Sequence, residues 1–187
     1  NLFSGNAGEP NTYIPLYFCS ITLYAAVLSG WAKGYTAKRI GDVFLTVGGI
    51  VGGAVYIFMP TTTAGVYPAF HFITIQSYIL HTVMIFLGQL YIVTDYITLR
   101  LKDIIYYAST VSVISVIAWV FNYFFDSNLM FVSKDFPGTL VGVLYDLTGR
   151  FFPLAITFIQ AVPPFYVIYG IIKLYKRGRK KEIRIEK

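Results

Sequence analysis

A thiol, an imidazole and three carboxamides fall at positions of this sequence where a polar side chain has to be accounted for. Cys19, in "IPLYFCSITLYAAVLSGW", is the sole cysteine of 187 residues. It is either a small inert packing residue or a nucleophile held in an apolar setting. His81 lies within "SYILHTVMIF", Gln160 within "FIQAVPPFY", and Asn122 and Asn128 bracket "NYFFDSN". Thr74, Ser77 and His81 recur at spacings of three and four, which puts them on one face of a helix. Each also has a packing role open to it. Gln160 can join two helices by a hydrogen bond, Asn122 and Asn128 can cap a helix end or order a turn, and His81 can point into a bundle and bond there.

The elements that must position these groups are membrane helices. The chain is 56% hydrophobic and 13% charged, against about 25% charged residues in soluble domains, and its mean hydropathy is +0.63. A spanning helix needs about 20 mostly apolar residues, and residues 13–31, 40–58, 71–94, 104–125 and 152–175 each supply such a run. None has the period-2 alternation of a lipid-facing barrel strand, and backbone groups in lipid must be satisfied internally. The expectation is an all-α, multi-pass transmembrane bundle of five spans in the cell membrane. It forms a single domain over residues 1–187, with a loop at 126–150 and a basic tail at 176–187. The first residues, "NLFSGNAGEPNTY", have neither a basic nor an apolar region of the kind a signal peptide carries.

All of the 15 basic residues except Lys134 and Arg150 fall after the first run, after the third, or from the end of the fifth run (Lys173) onward. The positive-inside rule then puts the start of the chain outside and the tail in the cytoplasm. This explains the net charge of +6 as a topology signal and leaves no reason to expect a nucleic-acid partner. Membrane lipids are the expected partners, and a basic tail attracts anionic headgroups at about 1 kcal/mol per residue. In that arrangement His81 is ~15 Å, Gln160 ~12 Å and Cys19 ~9 Å from the outer ends of their helices at 1.5 Å per residue, with both asparagines near the outer surface. "GDVFLTVGGIVGGAVYIF" spaces Gly48 with Gly52, and Gly49 with Gly53, for close helix approach. Pro163 and Pro164 predict a kink in the last span. The loop at 126–150 is long enough for a lid or binding element, and its apolar "TLVGVLY" suits a membrane surface.

Three stretches resemble the YwaF-like family of bacterial integral membrane proteins, whose animal relatives are transmembrane acyltransferases acting on phospholipids. They are "IPLYFCSITLYAAVLSG", "GGIVGGAVYIFMPTTTAGVYPAFHFITIQSYILH" and "FNYFFDSNLMFVSKDFPGTLVGVLYDLTGRFFPLAI". The sequence departs from that pattern at Tyr17, where the family usually has histidine, at Leu129, and in "TGRFFP". The resemblance implies acyl transfer through an acyl-thioester. Cys19 would be the nucleophile, His81 the general base, and Asn128 or Asn122 the group that orients it. Gln160, Ser77, Thr74 and Tyr17 would stand on the substrate side. A thiol in an apolar site needs an imidazole to take its proton, which gives the histidine its reason.

No cofactor is implied. A metal is not expected either, because His71 and His81 are ten residues apart and the apolar interior has no carboxylates. Nor is there a phosphate-binding loop, a dinucleotide fingerprint or a serine elbow. Two other classes remain open. One is a non-catalytic structural or partner subunit of a membrane complex. The other is a small-solute binding or transport component using Gln160, Asn122 and His81 as its pocket.

Overall fold

The computed structural model describes residues 14–60 and 66–185, with side chains as far as residue 179. Among these residues the architecture is an all-α bundle of seven helices. They are α1 (Phe18–Trp31), α2 (Tyr35–Phe58), α3 (Phe72–Val93), α4 (Ile104–Phe125), α5 (Leu140–Thr148), α6 (Phe152–Ala161) and α7 (Pro163–Ile185). Short 3-10 turns at Leu101–Asp103, Leu129–Phe131 and Gly149–Phe151 join them. Four stretches are long and apolar enough to cross a bilayer: Tyr35–Phe58, Phe72–Val93, Leu101–Phe125 and Leu140–Arg179. The chain is a multi-pass membrane protein of the cell membrane. Its exterior fits that setting, since Phe58, Phe70, Tyr123, Phe124, Leu154 and Leu174 are exposed while Asp42, Asp103, His81 and Asn122 are buried.

The expected spans and the observed helices differ in instructive places. α1 has 14 residues, ~21 Å at 1.5 Å per residue, shorter than the ~30 Å hydrocarbon core. Residues 14–17 are non-helical, with Tyr17 extended (φ −83°, ψ 157°) at the helix start; residue 13 lies outside the described residues. α2 begins at Tyr35, five residues before the expected run, which puts Asp42 two turns inside the helix. There it accepts from Ser29 Oγ at 2.5 Å and pairs with Lys38 at 3.3 Å. The stretch 126–150 is not simply a loop, because it contains the 3-10 turn at Leu129–Phe131 and α5. Leu140, Val143 and Leu147 of α5 are exposed, while Tyr145 meets Phe152 edge-on. The last long stretch breaks at Val162, just before Pro163 and Pro164.

α2 is the central helix, buried along most of its length and packed between α1 and α3. Its glycines make this possible. A Cβ on Gly41 would lie 2.5 Å from the Ser29 backbone nitrogen of α1, and one on Gly53 would lie 2.7 Å from the His81 carbonyl oxygen of α3. These are backbone obstacles that no rotamer change relieves. Gly53→Ala is therefore expected to destabilise the bundle by about 1–3 kcal/mol, read as a lowered melting temperature in detergent. Gly30→Ala, where a Cβ meets open space, is the silent control.

Beyond the glycine seam, Phe44 joins three helices through Phe18 and Tyr107 (ring centroids at 5.7 and 5.6 Å). The core runs on through Val47, Val111, Ala118, Ile156, Phe165 and Ile168. At the basic end, Arg39 of α2 forms a two-pronged pair with Asp103 at the start of α4.

Candidate functional site

Consecutive glycines of α2 receive the two helices that carry the reactive candidates. The Phe18 ring lies 3.1 Å from where a Gly52 Cβ would be, and the Met84 methyl lies 3.4 Å from the same point. The next residue, Gly53, receives the His81 carbonyl. Cys19 follows Phe18 in the first turn of α1 and His81 belongs to α3, and both helices pack against this glycine-rich level of α2. This level lies in the half of the bundle away from the basic end. Cys19 is half-buried and Thr22, one turn on, is buried.

His81 is 5% exposed and tightly defined. The Tyr56 ring stacks on it with centroids 3.7 Å apart and planes 10° apart. Its Nδ1 lies 2.6 Å from the Ser77 carbonyl oxygen. A carbonyl only accepts, so Nδ1 carries the proton and donates it, leaving Nε2 as the nitrogen with a free lone pair. That Nε2 is buried and has no hydrogen-bond partner. The Thr22 hydroxyl is likewise buried and unpartnered. An unprotonated imidazole nitrogen with nothing to bond is what a proton acceptor requires. It makes no hydrogen bond to Cys19 in this conformation.

The remaining candidates take other places. The Asn122 carboxamide is fully used: it donates to the Leu129 carbonyl (3.0 Å) and Ser133 Oγ (2.8 Å), and accepts from Ser127 Oγ and the Leu129 amide (each 2.8 Å). Asn128 accepts from the Ser133 and Lys134 amides at 3.1 and 3.0 Å and donates to the Lys134 carbonyl at 3.2 Å. Both asparagines thus tie the turn after α4, and neither bonds to His81. Gln160 donates to the Met130 carbonyl at 2.9 Å, and its own Oε1 is buried without a partner. Thr74 donates to the Pro68 carbonyl at 3.1 Å, and Ser77 serves through its backbone carbonyl. Asn122, Gln160 and His81 bond to separate partners and form no joint cluster. Tyr17 packs its ring against Phe131 at 5.9 Å.

That last contact reveals an element that sequence reasoning missed. Leu129, Met130 and Val132 are completely buried, so the turn after α4 plugs into the bundle rather than standing off it. Met130 and Phe131 have positive φ values of 57° and 54°, a left-handed conformation disfavoured for bulky residues. The plug is held by Asn122 and Gln160 and reaches the start of α1 through Phe131. The only signal for it was the run of apolar residues, Leu129 to Val132, directly after Asn128. Among the described residues no group of three or more His, Cys, Asp or Glu side chains could hold a metal ion.

The TMEM164 family model matches residues 3–175, and the chain belongs to the TMEM164 family. This corrects the resemblance to the YwaF-like family. Most of that likeness was helix pattern, which any apolar bundle with glycine-rich packing shares. No curated protein and no solved structure matches the chain.

Proposed function

We propose that this member of the TMEM164 family is a thiol-dependent acyltransferase acting on lipid esters within the membrane. The observation that supports it is the bare, buried Nε2 of His81, on a helix that packs, as the Cys19 helix does, against the glycines of α2. Cys19 is the nucleophile and His81 the base. The imidazole takes the thiol proton as sulfur attacks the ester carbonyl. The ester C–O bond breaks, the leaving lysolipid oxygen takes the proton from the imidazolium, and an acyl-thioester remains on Cys19. A second alcohol then gives its proton to His81 and attacks the thioester, releasing the thiol. An intramembrane site lets the acyl chain enter sideways from lipid. Asn122 and Asn128 act at a distance, by fixing the plug that meets the α1 start at Tyr17. Gln160 anchors the same plug, and Thr74 and Ser77 hold the α3 face that carries His81.

The missing hydrogen bond between Cys19 and His81 favours a second reading, a non-catalytic subunit of a membrane complex. Trapping separates the two. Protein in vesicles of phosphatidylcholine bearing a labelled acyl chain is expected to acquire a label that neutral hydroxylamine removes, and Cys19→Ala is expected to carry none. A wild-type protein that stays unlabelled, or a label that persists in Cys19→Ala, makes the subunit the better reading.

A further inference from the structure

The basic end of the bundle holds a feature that the thiol chemistry does not use. A cleft of about 230 Å³ opens between the segment joining α3 to α4 and the side of α7. Leu99, Tyr169 and Ile172 form its apolar wall, and Lys173, Lys176 and Arg177 line its mouth. Leu99 and Ile172 are buried, so the wall belongs to the core and is preformed.

The cations at this mouth are unevenly committed. Lys176 and Arg179 both pair with Asp95, at 2.7 and 3.0 Å. Lys176 first, and then Arg179, hold the Asp95 carboxyl below the usual carboxylate range. Lys173 lies over the Tyr169 ring at 5.9 Å. Arg177 has no ion pair among the described residues. Among the described residues one carboxylate thus stands against Lys173, Lys176, Arg177 and Arg179, and they leave an excess of positive charge beside an apolar wall.

We propose that this cleft binds the phosphate of an anionic phospholipid headgroup, held by Lys173, Arg177 and Lys176. Its volume is below the ~300 Å³ at which pockets begin to enclose a whole small ligand, which suits a headgroup whose chains remain outside. A free phosphate would meet the same cations but would gain nothing from the apolar wall. Basic pockets between helices at the end of a membrane bundle commonly bind lipid headgroups in this way.

The test uses the full chain in phosphatidylcholine nanodiscs, with added phosphatidylglycerol read by native mass spectrometry. Wild type is expected to retain phosphatidylglycerol over phosphatidylcholine. Lys173→Ala combined with Arg177→Ala is expected to weaken that retention by about 10- to 30-fold, with the melting temperature confirming a folded chain. Asp95→Asn releases Lys176 and Arg179 and is expected to strengthen retention. It remains informative if the double variant does not fold. Equal retention of the two lipids by wild type, unchanged retention in the double variant, or weakened retention in Asp95→Asn overturns the proposal. Displacement of the lipid by millimolar inorganic phosphate also overturns it, because the cleft would then be a site for the free anion.

Discussion

Asp103→Ala is expected to destabilise the protein by about 3–5 kcal/mol, the usual cost of removing one partner from a buried ion pair. Asp103 is 3% exposed. Its carboxylate accepts Arg39 Nε at 2.9 Å, Arg39 Nη2, and the Arg100 amide at 2.6 Å. The same guanidinium donates to the Thr98 carbonyl at 2.8 Å. One carboxylate therefore closes the start of α4, fixes the segment after α3, and neutralises a cation of α2 that is mostly out of solvent. Alanine would leave Arg39 without a counter-charge and the Arg100 amide without its acceptor. Arg39→Lys is expected to fail as well, because a single ammonium cannot serve both carboxylate oxygens and the Thr98 carbonyl with the guanidinium's geometry. Thermal melting in detergent gives the measurement. An Asp103→Ala protein within about 1 kcal/mol of wild type would mean that water reaches Arg39 and that the pair is worth no more than a surface bridge.

That pair was not legible in the sequence. Asp103 sits in "TLRLKD", a run whose cations serve the topology signal, and its partner is 64 residues away. Nothing local marks the connection. The membrane character was legible because hydropathy over about 20 residues is a local sum, and the α2 seam was legible because glycine spacing maps onto a helix face. Helix starts were harder to see. Residues 14–17 are as apolar as the helix after them, and composition alone does not separate an extended apolar segment from a first turn. The start at Phe18 also matters for the site. Depths counted from guessed helix ends shift with each end, so a start at Phe18 rather than residue 13 removes more than a turn from the depth counted for Cys19. For the asparagines, ordering a turn was among the roles open to them. Their partners, Ser127, Leu129, Ser133 and Lys134, lie only a few residues away, so this was the most local part of the puzzle. The buried plug they hold depends on α1 and α6 and could not be read from its own residues.

His81→Ala is expected to slow acylation of Cys19 by about 10²–10⁴-fold, the range a positioned acid–base group contributes. Some stability is lost with it, because the side chain gives up one hydrogen bond, to Ser77, worth about 1 kcal/mol, and its stack on Tyr56. Catalysis and packing are separated by comparing acylation at equal folded fraction. If His81 is the base, the acylation rate of the folded protein falls steeply. The variant's rate should then rise with pH as hydroxide replaces the imidazole in deprotonating the thiol, and added imidazole should restore part of it. If His81 is only a packing partner of Tyr56, the melting temperature falls, and any change in acylation follows the folded fraction at every pH. The absence of a Cys19–His81 hydrogen bond does not decide between these patterns, since such contacts commonly tighten only when substrate is bound. The pH profile does, because a residue that acts by packing alone has no proton to exchange with the thiol.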